Sequence, residues 1–239
     1  MSHTIDELQR YFQTIEASHA EKLCQGNIKI DPWLQPDSGD SRLGVTLIIP
    51  IGSQFKNYPA LCSHYQPFQD SLYLYRHEDL HITLFDIFPA VTGFQISDSQ
   101  LNKYCQVLCE LFQEMTPFTI DLTGVLFTDI AGLIKGFDCF HLHHLRQAIR
   151  KQLTAAGLPF HERYESRIGH LTFCRYKNEL THPHALQHVN QTLREHFFDT
   201  LNVTNITLVI HDCYNLKSKT KVVADMPLAG SQYRSTVVP

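Results

Sequence analysis

No stretch of the chain approaches the roughly 18–20 consecutive apolar residues that a membrane-spanning helix needs, so a spanning helix is excluded. There is no GxxxxGK[ST] loop and no GxSxG turn. Their absence removes the sequence signs of a P-loop nucleotidase and of a serine hydrolase. An excess of charge of one sign is missing too. Twenty Lys and Arg stand against 24 Asp and Glu, a formal net charge of −4, so no overall field draws the protein to nucleic acid or to an anionic membrane. The seven cysteines are odd in number and none form a CxxC pair. Residues 1–25 are polar and charged, with the pattern of an amphipathic helix and not of a secretory leader. Free thiols in a reducing, cytoplasmic compartment are therefore expected.

What is present is a chain of 239 residues, 43% hydrophobic and 18% charged, long enough for a sizeable buried core. Histidine is abundant, with 15 copies. Three of them fall in CFHLHHL (139–145). A histidine-triad nucleotide site needs His at i, i+2 and i+4, whereas here they sit at 141, 143 and 144. On a helix His141 and His144 share a face and His143 does not. We read this stretch as the start of a helix with surface histidines, and expect neither metal nor cofactor; the metal alternative would use Cys139, His141 and His144. Seven cations (Arg146, Arg150, Lys151, Arg163, Arg167, Arg175 and Lys177) crowd one region of the second half and are read as solvated faces.

Periodicity places a helix over 5–24, with Ile5, Leu8, Phe12, Ile15 and Leu23 on one stripe. Residues 25–42 are rich in Pro, Gly, Asp and Ser and read as a loop. Then come an apolar strand (43–51), an ambiguous stretch with a short helix (54–70), a strand with a polar break leading into a second strand (71–88), and a helix (97–115). The second half continues with strands at 118–129, containing a glycine, and 132–137. It closes with a helix (140–156) ending at Gly157, a strand over 168–176, a helix over 183–198 and two final strands at 202–216 and 221–228. The pattern implies an α+β fold, bilobal, with two pseudo-symmetric antiparallel sheets flanked by helices around a central cleft. Residues 1–42 are expected to be an extension and 43–239 a single domain.

Two strands carry the same polar pair. DLHITLFDI (79–87) holds His81 and Thr83, and IGHLTFCRY (168–176) holds His170 and Thr172. In a strand, residues i and i+2 face the same way, so each His shares a face with its Thr. A single such pair is explained well enough by a buried histidine and a good strand former. Two pairs, each in an apolar strand, would converge if the halves are related by a twofold axis. Two imidazoles can then act as base and acid on opposite sides of a phosphorus, and two hydroxyls can hold its nonbridging oxygens.

The HIT (81–83) and HLT (170–172) motifs resemble those of the 2H phosphoesterase superfamily, which includes the RNA 2′,3′-cyclic phosphodiesterases once named 2′–5′ RNA ligases. The order of elements supports the resemblance over about residues 43–229. It implies a bilobal α+β fold and metal-independent cleavage of a cyclic phosphate or a short 2′–5′ or 3′–5′ phosphodiester of a nucleotide or RNA end. Carried over, His81 and His170 are the catalytic pair, and Thr83 and Thr172 bind the substrate phosphate. The resemblance inclines to His170 as base and His81 as acid in hydrolysis. The expected partner is a nucleotide or RNA terminus, with no membrane, no extended nucleic-acid surface and a monomeric chain. Tyr73, Tyr75, Phe85 and Tyr214 are candidates to border the cleft; Arg76, Arg167 and Lys217, and the hydroxyls of Tyr164 and Tyr214, are candidates to face phosphate. Two other readings fit the same residues: a non-catalytic nucleotide or RNA-end binder of the same fold, and a core in which both histidines are inert.

Overall fold

In the computed structural model, which describes residues 2–35, 38–162 and 165–229, local chemistry sets most element boundaries. The first helix, α1 (Ser2–Cys24), gives way to the loop that carries residues 25–42. Next come β1 (Leu43–Pro50), α2 (Tyr58–Tyr65), the short β2 (Leu72–Leu74), β3 (His81–Val91) and α3 (Asp98–Gln113). Ser97 starts α3 with a capping box: its hydroxyl accepts the Gln100 N–H, and the Gln100 side chain accepts the Ser97 N–H. The second half holds β4 (Phe118–Phe127), β5 (Ala131–Phe137), α4 (His141–Ala155), β6 (Gly169–Tyr176) and α5 (Pro183–Thr192). Three strands close it: β7 (Phe197–Val203), β8 (Asn205–His211) and β9 (Lys221–Pro227). Arg163 and Tyr164, both weighed above, lie outside the described residues.

The helix expected over 183–198 stops at Thr192, and residues 197–203 form β7 instead. The cause is tertiary. β4 offers an edge, and β7 pairs with it from Phe118↔Val203 to Thr123↔Phe197, turning Phe198, Leu201 and Val203 into the core. Those ladder bonds and the burial outweigh the weak helical preference of the segment.

A larger difference concerns the sheet. The sequence pattern implies two separate sheets, but the described strands form one antiparallel sheet in the order β7-β4-β5-β6-β3-β1-β8-β9, with β2 on the other part of β6. Its halves meet at β3 and β6, where the register gives a single pair, Ile82↔Leu171. Leaving these strands apart would leave two buried strand edges with unpaired backbone groups. The helices cross the seam as well. α2, which lies between β1 and β3 in sequence, packs on α5, while α4, which lies between β5 and β6, packs on α3 and β3. Each half therefore supplies a helix to the other. The sheet is also strongly curled: the end of β8 is carried over the start of β3, so that the rings of His211 and His81 lie 5.7 Å apart although β1 separates their strands.

The glycine inside β4 has a specific job. Gly124 adopts φ +74° in a bulge between Leu122 and Val125, and its N–H donates to the His196 carbonyl. A Cβ there would run into the Arg194 carbonyl oxygen and lie 2.6 Å from Lys135 Cε. Gly124→Ala should therefore cost about 3 kcal/mol, combining the left-handed backbone penalty with steric overlap. Urea unfolding of the two proteins measures it; a loss below about 1 kcal/mol would mean that the bulge relaxes.

Candidate active site

The seam places the two motifs face to face. Extending the Ile82↔Leu171 register by one residue each way sets His81 opposite Thr172 and Thr83 opposite His170. All four side chains line one cavity of about 230 Å³. The backbone around them is held from below by Arg146 of α4, whose side chain is 1% exposed. Its guanidinium donates to the carbonyl oxygens of Thr83 (3.1 Å) and Leu84 (2.7 Å). This corrects the reading of the seven cations as solvated faces. Lys151 and Arg167 are exposed, but Arg146 is buried, Arg175 lies in the cavity wall, and Arg150 is paired with Glu162 at 2.6 and 2.8 Å.

Each motif strand also carries a bulge just past its Thr. On β3 the register slips between Ile48↔Thr83 and Leu47↔Phe85, and on β6 between Leu133↔Thr172 and Gly132↔Cys174. The extra residue makes two successive side chains face the core, Leu84–Phe85 in one strand and Phe173–Cys174 in the other. The residue five positions after each His therefore returns to the cavity face. In the first strand that residue is Asp86, and in the second it is Arg175. A strict two-residue alternation puts both on the opposite face, so neither could be read from the sequence. Asp86 accepts the Thr46 hydroxyl at 3.0 Å. Arg175 donates from Nε to the Tyr75 hydroxyl at 2.9 Å, and its guanidinium lies 5.6 Å from the Tyr214 ring centre.

The three histidines of the cavity differ in how they hold a proton. His81 donates from Nδ1 to the Asp79 carbonyl at 3.0 Å, which leaves Nε2 as the ring nitrogen outside that bond. Burial lowers its pKa, opposed by the Asp79 carbonyl and the Asp86 charge, and the net shift is downward. His170 is pushed down to about 4 by burial, with the charges of Arg146, His81 and Arg175 adding to it. Its Nδ1 is buried and has no hydrogen-bond partner. His211, 7% exposed on β8, is pushed down to about 3 by burial and by His81. Sequence reasoning missed His211, because the curl of the sheet and not any spacing brings it to His81.

The remaining candidates divide. Tyr75 lines the cavity; Phe85 borders it but turns its ring into the core against Phe160, 5.4 Å between centres; Tyr73 packs against Tyr75 and Tyr214 with ring centres 5.5 and 6.3 Å away. Arg76, Arg167 and Lys217 are exposed and outside the cavity wall, and Lys217 contributes only its N–H, to Asp79 Oδ1 at 2.8 Å. The cavity's cations are instead Arg175 and, from the N-terminal extension, Arg42; Asp31 of the extension also reaches the wall. His141 opens α4 as expected and stacks on Phe118. Residues His77, Glu78 and His81 also meet the HExxH spacing, which on a helix pairs two histidines for zinc. Here a single 3₁₀ turn over 77–79 ends before β3 begins, so the two rings do not share a helical face. Among the described residues, no group of three His, Cys, Asp or Glu is placed to hold a metal ion.

The depressed histidines make stability depend on pH. In the unfolded chain a histidine titrates near about 6.5, so below that pH the unfolded state binds protons that folded His170 refuses until about pH 4. Stability contributed by keeping His170 neutral is thus whole above about pH 6.5 and is lost as pH falls toward 4. The drop in the urea midpoint between pH 7 and 4.5 should be smaller in His170→Gln than in wild type. An equal drop in both would show that His170 is not held neutral.

Residues 58–215 match a family model described as the 2′-5′ RNA ligase superfamily. No curated protein matches the chain significantly. Among solved structures, TT0787 of Thermus thermophilus is similar with TM-score 0.55 and 17% identity, over 80% of this chain and 100% of that one. E. coli LigT complexed with 3′-AMP gives TM-score 0.51 and 17% identity, over 80% and 100%. E. coli LigT complexed with ATP gives 0.50 and 16%, over 79% and 99%. These likenesses establish a shared fold, and the family match spans well over half of the chain. The chain belongs to the 2′-5′ RNA ligase superfamily of 2H phosphoesterases.

Proposed function

We propose that the chain is a metal-independent phosphodiesterase that opens a cyclic phosphate, or cuts a short 2′–5′ or 3′–5′ linkage, at a nucleotide or RNA end. The observation that carries this reading is the crossed pairing of His81 with Thr172 and of Thr83 with His170 on one cavity wall. A cavity of about 230 Å³ is small beside ordinary ligand pockets of roughly 300–1,000 Å³, which favours a terminal nucleotide over a run of chain. The nucleotides held by LigT, 3′-AMP and ATP, support the same substrate class. In this reading residues 43–239 are the catalytic unit and 1–42 an extension that reaches its cleft.

The asymmetry of the site supports one division of roles. A bound phosphate raises the proton affinity of both imidazoles. His81 takes the proton first, because the Asp79 carbonyl and Asp86 already favour its charged form, whereas His170 has no such support and is opposed by Arg146; Arg175 disfavours the charged form of both. His81 is then the acid and His170 the base. In hydrolysis His170 takes a proton from water as its oxygen bonds to phosphorus. The bond from phosphorus to the leaving oxygen breaks, and His81 Nε2 protonates that oxygen. Thr83, Thr172 and Arg175 hold the nonbridging oxygens as charge develops on them.

A panel of 2′,3′-cyclic nucleotides, ADP-ribose cyclic phosphate and 2′–5′ oligoadenylate, assayed with EDTA, tests the reading. Turnover should survive the chelator. His81→Ala and His170→Ala should each lower kcat by about 10²–10⁴, without multiplying when combined. Thr83→Ala and Thr172→Ala should raise KM as well. A substrate with a much better leaving group should rescue His81→Ala but not His170→Ala. Wild-type rates in both histidine variants on every substrate would remove the proposal.

Asp86 gives a separate test. The pH–rate profile should be bell-shaped, with its basic limb set by loss of the His81 proton. Asp86→Asn removes a charge that favours that proton, so the basic limb should move to lower pH while the acidic limb, set by His170, stays nearly in place. Movement of the acidic limb alone would reverse the two roles.

A further inference from the structure

The N-terminal extension builds one end of the cleft, and it does so from residues outside the matched span of 58–215. Asp31 donates its N–H to the Tyr176 carbonyl at the end of β6, and its carboxylate lies 3.8 Å from Arg175. Arg42, just before β1, stands in the same wall. Its guanidinium is bound edge-on by Asp40, Nε and Nη2 each 2.8 Å from a carboxylate oxygen, and lies 4.5 Å over the ring of Trp33. The turn that presents Trp33 is itself capped by Asp31, which accepts the Trp33 N–H at 3.1 Å.

This arrangement is poorly made for a phosphate. The bidentate edge of Arg42 is already occupied by a carboxylate, its charge is largely neutralised, and Asp31 adds a second carboxylate to the same end of the cleft. It is well made for a flat, uncharged ring. A guanidinium fixed on one side by an aromatic ring and along its edge by a carboxylate offers a rigid stacking surface. A neighbouring carboxylate accepts hydrogen bonds from ring or exocyclic N–H groups. We infer that Arg42, supported by Trp33 and Asp40, stacks on the nucleobase of the substrate while Arg175 and the threonines hold its phosphate. The inference rests on the phosphodiester reading of the cleft and narrows its substrate class to one in which a base is attached to the sugar that bears the phosphate.

Binding, not turnover, tests this, so the result is readable whether or not the chain hydrolyses anything. Calorimetric affinities of a nucleoside 3′-monophosphate and of base-less glycerol 2-phosphate are compared in wild type, Arg42→Ala, Arg42→Lys and Trp33→Ala, each checked for a native melting curve. The base should tighten wild-type binding by about tenfold or more, the usual scale of one base stack. Arg42→Ala should erase that advantage and leave the affinity for glycerol 2-phosphate within about twofold. Arg42→Lys should fail to restore it, because an ammonium has no flat face. Equal weakening of both ligands by Arg42→Ala would make Arg42 a phosphate ligand and overturn the inference. So would wild type showing no preference for the base, or a preference that survives in both Arg42→Ala and Trp33→Ala.

Discussion

Everything at the cleft depends on one backbone contact, the pairing of β3 with β6 at Ile82↔Leu171. That pair fixes which side chains oppose each other, and a slip of one residue would turn the His and Thr of one strand away from those of the other. One pair of residues is a weak ladder. It is held from outside by the exchanged helices, since α4 reaches across to β3 and α2 to α5. Arg146 then fastens the motif strand itself through the Thr83 and Leu84 carbonyls. The same buried guanidinium lowers the pKa of His170. A single residue therefore supports the backbone of one motif and adds to the burial that keeps the histidine of the other neutral.

Near-symmetry of the fold and asymmetry of the chemistry come from the same places. Both motif strands have a bulge after Thr, and both return a polar residue to the cavity five positions after His. The geometry repeats while the charge reverses, Asp86 on one side and Arg175 on the other. Two histidines in identical surroundings would share their titration and neither would be committed as acid or base. Asp86 beside His81 and Arg146 near His170 separate them, while Arg175 lowers both. The two motif strands thus share their geometry and differ in the charge placed beside their histidines.

Much of the scaffold was legible because period-2 and period-3.6 patterns act locally. The strands carrying His81 and His170, the capped start of α3 and the glycine stop of α4 needed only near neighbours. β7 was not legible, because its strand character comes from the edge of β4 and not from its own residues. Nor were Asp86 and Arg175, which alternation alone assigns to the core face; a bulge is a two-strand property and leaves no mark in one strand. His211 and Arg42 join the cleft through curl and loop path, which are global. The four motif residues were readable only because the pattern occurs twice.

The extension's part in the cleft depends on an anchor far from it. Asp129, in the turn between β4 and β5, has a side chain 4% exposed and meets His19 (3.1 Å) and Lys22 (3.1 Å) of α1 and Lys29 (3.3 Å) of the loop. Burial alone would raise its pKa, but the bonds from Lys22 and Lys29 outweigh burial and hold it below the usual carboxylate range. Its carbonyl also accepts the Lys29 N–H at 2.6 Å. Two residues later Asp31 bonds to the end of β6. Helix α1 adds Leu8 and Phe12, which pack on Leu126 and Ile168. Lys22 and Lys29 keep much of their side chains in water, so each ion pair is modest alone, and the path of the loop is held at two fixed points by the backbone bonds of Lys29 and Asp31. The composition of the cleft wall is thus tied to a turn in the other half of the sheet, and the extension is structurally continuous with the domain whose site it borders.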